Sequence, residues 1–393
     1  YGKVFITLFD MRKDWLKMAR VLGICPTIDS PIKSNDGYLI RFRPKYGYLS
    51  SKQLSILADA ISSFGSNFIE LTSRANITVR GLQKKHLEQL SNFLNQAGII
   101  NAAEKKENIS NIIYSPFSTK NKKLTQKIAS ILEDNLNNIP KLHKKFGIAV
   151  DLGEVASLQE TNADLRIETN KEKILILRID RSDHGIVVEP ETLIEKIEMI
   201  LSNVMAVSNQ LKSRDLINSI GEIDHIYFPD IKPRKQNFSP RLGPCFGGYM
   251  ITVPGGKFSS YQLRELASHV KGVAVTPWKS FFINSAKTKP PLSFLSKNTG
   301  HDLSVSYCSG KPYCSQGILE TSQVAKVVTT FLKERLKNRT NKAKIHISGC
   351  LKNCGLSKQT SILINSSGGE KSVSTKDDKF QHLASKISME LNE

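Results

Sequence analysis

The stretch His346-Ile-Ser-Gly-Cys350-Leu-Lys-Asn-Cys354-Gly-Leu356 decides how the last quarter of this chain folds. It places two cysteines at a C-x3-C spacing directly after a short run that is typical of a β-strand. Upstream, Tyr307-Cys308-Ser-Gly-Lys-Pro-Tyr-Cys314 holds a second pair at a C-x5-C spacing. Four of the six cysteines therefore fall into two tight pairs near the C-terminus.

Four thiolates gathered in this way bind either zinc or an iron–sulfur cluster. Zinc sites commonly use C-x2-C or C-x4-C spacings, and neither occurs here. A cluster is wider than one ion, so its ligands can lie on longer loops with glycine and proline. The alternatives are buried structural thiols or two disulfides, and a reducing compartment disfavours disulfides. The spacings predict one 4Fe–4S cluster with four ligands: Cys308, Cys314, Cys350 and Cys354.

The remaining cysteines, Cys25 and Cys245, have no cysteine close to them in sequence. We interpret both as structural thiols. We also interpret His346 as a structural residue of the strand that precedes the second ligand loop.

On these cysteine motifs the chain resembles the nitrite and sulfite reductase superfamily, in which C-x5-C is followed by G-C-x3-C. The forms C-S-G-x-P-x-C and H-I-S-G-C-x-K-x-C resemble one branch of it, the precorrin-3B synthases of aerobic cobalamin synthesis. The resemblance extends from about residue 25 to the C-terminus. It implies an enzyme that hydroxylates precorrin-3A with dioxygen and closes a lactone from a ring acetate.

The resemblance also implies cofactors and partners. A 4Fe–4S cluster would pass electrons from a donor that draws on NAD(P)H, and a mononuclear non-haem iron is a further candidate cofactor. The alternative is a sirohaem-dependent sulfite or nitrite reductase, in which Cys354 would bridge the cluster to the haem iron. A rival of another class is a non-catalytic iron–sulfur or nucleic-acid-binding module.

Length, hydropathy and charge limit the partners that this protein could have. The chain has 393 residues, 39% of them hydrophobic, which is enough for several packed units. No apolar run approaches the ~18 residues that a membrane span needs. The net charge of +20 would suit nucleic acid, but the lysines are spread along the chain and would equally attract a polycarboxylate. We therefore expect neither a nucleic-acid nor a membrane partner.

Residues 37–58 and 248–267 repeat each other. Both read as a strand, a turn and a Ser-capped amphipathic helix, with Leu49-Ser-Ser-x-Gln-Leu matched by Phe258-Ser-Ser-x-Gln-Leu. Two such copies predict half-domains related by a pseudo-twofold axis. This agrees with the resemblance, whose members pair two ferredoxin-like halves around a cofactor cleft.

We therefore predict an α+β fold with two ferredoxin-like half-domains and two α/β domains. Residues 1–24 lack an uninterrupted apolar run and a clear cleavage site, so we expect an extension and a cytoplasmic protein. The expected segments are an N-terminal extension (1–24), the first half-domain (25–105), a middle α/β domain (106–235), the second half-domain (236–300) and a cluster-binding α/β domain (301–393).

The run from Phe68 to Leu82 reads as one strand with a polar face. With a period of two, Arg74, Asn76 and Arg80 share that face. In a continuous strand the two arginines would stand about 20 Å apart, which suits the carboxylate fringe of a tetrapyrrole. The alternative is a half-exposed strand with a hydrated face. In the resembling family this strand lines the tetrapyrrole site, so all three are candidate substrate-binding residues.

Two further lysines complete the candidate substrate site. Lys145-Phe-Gly147 stands where sulfite and nitrite reductases usually carry Lys-Phe-Lys, and Ser110 stands where many of them have arginine. These two departures count against reduction of a simple anion. Thr276-Pro-Trp resembles the synthase branch, in which arginine often follows; here Lys279 keeps the charge without the fork of a guanidinium.

Overall fold

The computed structural model describes residues 26–100, 111–117, 122–135, 146–180, 182–207, 231–236, 238–296, 304–335, 343–357, 360–367, 370–376 and 381–392. These residues form four β-sheets and seven α-helices. The predicted extension and three of the residues discussed above, Cys25, Ser110 and Lys145, lie outside them. None of the described helices is both long and apolar enough to cross a membrane.

Two five-stranded antiparallel sheets correspond to the two repeats. The first has the order β1 (Ile32–Ser34), β2 (Gly37–Phe42), β5 (Ile77–Leu82), β4 (Phe68–Leu71), β13 (Lys257–Ser259). The second has the order β11 (Gly243–Cys245), β12 (Gly248–Ile251), β15 (Phe281–Ile283), β14 (Gly272–Val275), β3 (Tyr48–Ser50). The pseudo-symmetric halves are therefore present, and each sheet takes its last strand from the other half.

This exchange makes the two halves one packed unit. β3 pairs with β14, and β13 pairs with β4. Helices α1 (Ser51–Phe64) and α5 (Ser260–His269) follow the exchanged strands and bury their apolar residues in one common core. Separating the two halves would therefore expose this common core. The domain boundaries given above remain a prediction.

The two helices begin in the same way. Ser50 and Ser259 each accept a hydrogen bond from the glutamine N–H three residues later, and each glutamine side chain accepts from the serine backbone N–H. This capping box satisfies two N–H groups that a helix start leaves unpaired, typically worth ~1 kcal/mol. Gln53 and Gln262 are the matching glutamines.

The middle sheet carries the predicted α/β pattern. Its order is β10 (Ile186–Val187), β9 (Leu175–Ile179), β8 (Leu165–Thr169), β7 (Ile148–Asp151), β6 (Ile112–Tyr114), with β6, β7 and β8 parallel. The apolar side chains of β6–β9 pack against helices α3 (Lys122–Asn135) and α4 (Leu193–Val207). Helix α2 (Leu87–Gln96) packs on α1 in the first half-domain.

The last sheet has the order β16 (Val305–Tyr307), β17 (Ile345–Ile347), β18 (Ile362–Ser367), β19 (Glu370–Thr375). β16, β17 and β18 are parallel, and helix α6 (Thr321–Arg335) connects the first two. The C-terminal helix α7 (Gln381–Asn392) buries one face, including Leu383 and Ile387, in the core of this sheet.

Candidate functional site

The four clustered cysteines follow the carboxyl ends of two adjacent parallel strands. Cys308 comes directly after β16, and Cys350 lies three residues after β17. Neighbouring parallel strands end at the same edge of a sheet, so both ligand loops start side by side. The Cys308 N–H donates to the Ile347 carbonyl at 3.0 Å and continues the strand pairing into the loop. The cysteine spacings alone do not place the two pairs next to each other. The order of the strands does, because it starts both loops at one edge of the sheet.

Glycines let the two loops touch through their backbones. A Cβ on Gly317 would lie 2.9 Å from the Gly310 carbonyl carbon, and one on Gly349 would lie 3.0 Å from the Gly310 Cα. The N–H groups of Ile318 and Leu319 donate to the Gly349 carbonyl at 2.8 and 3.2 Å. Side chains at these glycines would push the loops apart.

The thiols themselves are free. All five described cysteines are unbonded, so the two-disulfide alternative does not occur among them. The Gly349 N–H donates to Cys308 Sγ at 3.1 Å. Burial raises the pKa of Cys350 and of Cys354, and the nearby Cys308 and Cys314 raise the pKa of both further. Backbone contacts between the two loops place the two cysteine pairs on adjoining segments.

This donor set fits a cluster. Within the described residues, no three His, Cys, Asp or Glu side chains are placed to hold a single metal ion. A 4Fe–4S cluster is wider than one ion and spaces its four thiolates farther apart. Four cysteines can therefore suit a cluster without being close enough to hold one ion. Free thiols on two abutting glycine loops, with a backbone N–H donated to sulfur, are suited to cluster ligation.

Arg80 contacts the first cysteine loop and not an open cavity. Its side chain is only 2% exposed. It pairs bidentately with Asp36 at 2.6 and 3.0 Å and donates to the Tyr313 carbonyl at 3.0 Å. A substrate carboxylate would have to displace Asp36 to reach it. In this structure Arg80 anchors the loop, and substrate binding by Arg80 stays a prediction.

Glu70, on β4, completes this anchor. Its Oε2 lies 3.5 Å from Arg80 Nη1 and accepts a hydrogen bond from Ser309 Oγ at 2.9 Å. Its Oε1 lies 3.3 Å from Lys257 Nζ, which in turn lies 4.5 Å from the centre of the Tyr313 ring. We call Asp36, Glu70, Arg80 and Lys257 the charged cluster. No sequence motif marked Asp36, Glu70 or Lys257. Lys257 comes beside β4 only through the strand exchange.

Lys279 reaches the same loop from the second half-domain. Its Nζ donates to the Tyr307 carbonyl at 2.7 Å, one residue before Cys308. Burial lowers the pKa of Lys279, while the charges of Glu70 and Cys308 oppose that shift. Lys279 therefore contacts the residue that precedes a predicted cluster ligand.

The predicted continuous strand from 68 to 82 is wrong. β4 ends at Leu71 and β5 begins at Ile77, with a turn between them. Ala75 has a positive φ of 54°, which lets the chain reverse. The N–H groups of Arg74 and Asn76 both donate to Thr72 Oγ1. Arg74 and Arg80 therefore do not share one strand face.

The second half-domain contains the same turn. Thr276 N–H donates to the Ser280 carbonyl as Thr72 N–H does to the Asn76 carbonyl. Lys279 has a positive φ of 53° and so occupies the place of Ala75. Trp278, not Lys279, is the counterpart of Arg74.

The other predicted substrate residues have mixed outcomes. Asn76 is buried, and its Oδ1 has no hydrogen-bond partner among the residues that the structure describes. An unpaired buried polar atom is costly and indicates a missing partner. Arg74 is half-buried, in the turn next to it. Lys145 lies outside the described residues.

A cleft of about 170 Å³ adjoins the second cysteine loop. Its wall includes the residues that follow Cys354, together with Trp278, Lys279 and Lys344. Burial lowers the pKa of Lys344, a cleft residue that the sequence analysis did not single out. The cleft is lined by residues from both half-domains, the middle domain and the cysteine domain, among them Ser73, Glu160, Thr252, Gly256, Ser306 and Ser357.

His346 supports the second cysteine loop through a hydrogen bond with the Cys354 carbonyl. Its Nε2 is 3.0 Å from the Cys354 carbonyl, and its Nδ1 is 3.0 Å from Ser306 Oγ. Burial lowers its pKa to about 4, with help from the charge of Lys279 and against the hydrogen bond to the Cys354 carbonyl. A neutral imidazole that holds a backbone carbonyl is a structural element, as its place in the strand suggested.

Comparisons with known proteins agree with this fold. A family model, the nitrite/sulfite reductase ferredoxin-like half domain, matches residues 31–97. The solved structure of the Mycobacterium tuberculosis NirA protein superposes with a TM-score of 0.61 and 14% identity, over 86% of this chain and 73% of that one. The chain thus shares its overall fold with that structure, and residues 31–97 match the half-domain model, in agreement with the resemblance.

Curated relatives point to one branch of that class. The precorrin-3B synthase of a Sinorhizobium species is 22% identical over 376 residues, which cover 87% of this chain and 80% of that protein. The ferredoxin–nitrite reductase of Leptolyngbya laminosa is 25% identical over 128 residues, which cover 30% of this chain and 25% of that protein. The synthase thus matches along most of the chain, and the reductase over a part.

Proposed function

We propose that this protein is an oxidoreductase of the precorrin-3B synthase type, which hydroxylates precorrin-3A with dioxygen and closes a lactone. The observation that carries the proposal is the placement of four free thiols on two adjoining loops, the second of which borders a cleft that both half-domains help to line. The similarity to a precorrin-3B synthase along most of the chain supports it.

A 4Fe–4S cluster held by Cys308, Cys314, Cys350 and Cys354 would supply electrons one at a time beside the substrate. The protein's own part is to bind and orient the macrocycle. Lys344 adds positive charge to the cleft wall, which favours a ligand with carboxylates. Asn76 offers a buried amide oxygen that has no partner among the described residues, and Arg74 lies in the same turn.

A second candidate function is sirohaem-dependent reduction of sulfite or nitrite, which the family-model match and the NirA fold favour. Gly147 argues against it. Its N–H donates to Asp164, and a Cβ there would meet its nearest atom, the Asn111 carbonyl oxygen, at 3.4 Å, an ordinary contact. Packing at the Cβ position therefore does not by itself require glycine, and this chain has no lysine where those reductases usually carry their second one. Without that cation, charge developing on a bound anion is less stabilised.

Oxygen labelling tests the proposed function. Reduced protein is incubated anaerobically with precorrin-3A and then given a pulse of labelled dioxygen. We expect one labelled atom in the product at the new hydroxyl, measured by mass spectrometry, and negligible turnover of sulfite or nitrite even with sirohaem added. Label arriving from water would contradict the proposal. Rapid sulfite turnover with intense Soret and red bands would favour the reductase.

Arg74→Lys tests substrate binding at the turn. We expect precorrin-3A affinity to fall by ~1–3 kcal/mol, because lysine cannot form the bidentate contact of a guanidinium. The matched control is Arg264→Lys on α5, an exposed arginine paired with Asp59, which should leave affinity unchanged. Equal affinities of the two variants would show that the turn is merely hydrated.

A further inference from the structure

The residues on either side of Cys308 are held by opposite charges. The Tyr307 carbonyl before it accepts from Lys279 Nζ at 2.7 Å. The Ser309 hydroxyl after it donates to Glu70 Oε2 at 2.9 Å. Glu70 belongs to the first half-domain and Lys279 to the second, so each half contributes one charged contact to the loop.

These charges sit in a poorly solvated place. Glu70 is 13% exposed at its side chain and Lys257 is 19% exposed, while Arg80 is 2% exposed. Interactions between charges in such surroundings are several times stronger than in bulk water. Lys279 interacts electrostatically with Cys308 itself. The charges are therefore placed to act on whatever the loop binds.

A cluster ligated by four thiolates becomes more negative by one charge on reduction. A nearby cation favours that reduced state, and a nearby carboxylate disfavours it; charge and hydrogen bonding around the sulfurs are known determinants of cluster potential. Glu70 and Lys279 must then act with opposite signs on the same cluster.

We propose that Glu70 and Lys279 are positioning residues that set the reduction potential of the cluster through their contacts with the Cys308–Cys314 loop. Glu70 holds the potential down and Lys279 holds it up. This rests on the proposed function in so far as that function includes the cluster. It assigns these residues to electron supply and not to the substrate, which changes the role predicted for Lys279.

The test is a potentiometric titration of the anaerobically prepared full chain, followed by visible absorbance and electron paramagnetic resonance. Glu70→Gln should raise the ratio of reduced to oxidised cluster at a fixed potential about tenfold, and Lys279→Gln should lower it about tenfold. For a one-electron couple each change equals a shift of about 59 mV. Two exposed residues provide matched controls, Glu88→Gln and Lys52→Gln, and both should leave the potential unchanged.

The outcomes separate this inference from the proposed function. Wild-type protein that takes up no cluster overturns both. Full iron content with unshifted potentials, or with shifts of the same sign, overturns only the inference. If Glu70→Gln loses the cluster, Lys257→Gln joins Lys279→Gln as the test, because removing either cation must lower the potential. A rise in either variant would contradict the proposal.

Discussion

Serine in place of any one of Cys308, Cys314, Cys350 or Cys354 is expected to lower bound iron from about four atoms per chain to less than about one. A serine hydroxyl does not ionise near neutral pH, so it cannot replace a thiolate ligand. The same variants should lose acid-labile sulfide and the broad absorbance near ~400 nm. The measurement is iron and sulfide content of anaerobically purified protein.

Cys245→Ser is the control for this prediction. Cys245 is buried in a core cluster with Phe117 and Phe282, away from the two loops in sequence, and burial raises the pKa of its thiol. We expect this variant to keep its iron while losing some stability to heat. Full iron content in all four ligand variants would exclude the cluster assignment.

Gly317→Val is expected to remove most of the iron without touching a sulfur atom. The added Cβ would lie 2.9 Å from backbone atoms of both Gly310 and Lys311, so the Cys308–Cys314 loop would have to move from its place against Gly349. Overpacking of this kind typically costs ~1–3 kcal/mol. Iron content and thermal unfolding should be measured together.

Gly147→Ala provides the comparison, because its added Cβ would make only ordinary contacts. We expect it to keep both iron and melting temperature. If Gly317→Val also kept its full iron content, the close approach of the two loops would not matter for binding. That result would contradict the predicted role of the loop contact in iron binding while leaving the ligand assignment intact.

Local signals in the chain were sufficient to predict several elements of the fold. Ser50 and Ser259 stand three residues before glutamine at the start of apolar periodicity, and both became helix caps. The cysteine spacings located the two candidate ligand loops, because each pair lies on one short segment. These features depend on residues close together in sequence, where geometry is nearly independent of the rest of the chain.

Contacts between distant segments were not predictable in this way. The strand exchange of β3 and β13 depends on hydrogen bonds between residues about 200 positions apart, and no local pattern encodes that pairing. The turn at Thr72–Asn76 was hidden for a different reason. Ala75 continues the alternation of apolar residues in the flanking strands, and the positive φ falls on Ala75, not on a glycine.

The sequence by itself determined the class of protein, the repeated half-domain and the four candidate ligands, because each is encoded in a short motif. Only the tertiary structure decided which charges meet which loop. Arg80 and Lys279 are separated by 199 positions in the chain. Packing of the two halves against the last domain brings both to the Cys308–Cys314 loop. The role of a buried charge depends on its nearest partners. For Arg80 these are Asp36 and the Tyr313 carbonyl, and for Lys279 the Tyr307 carbonyl.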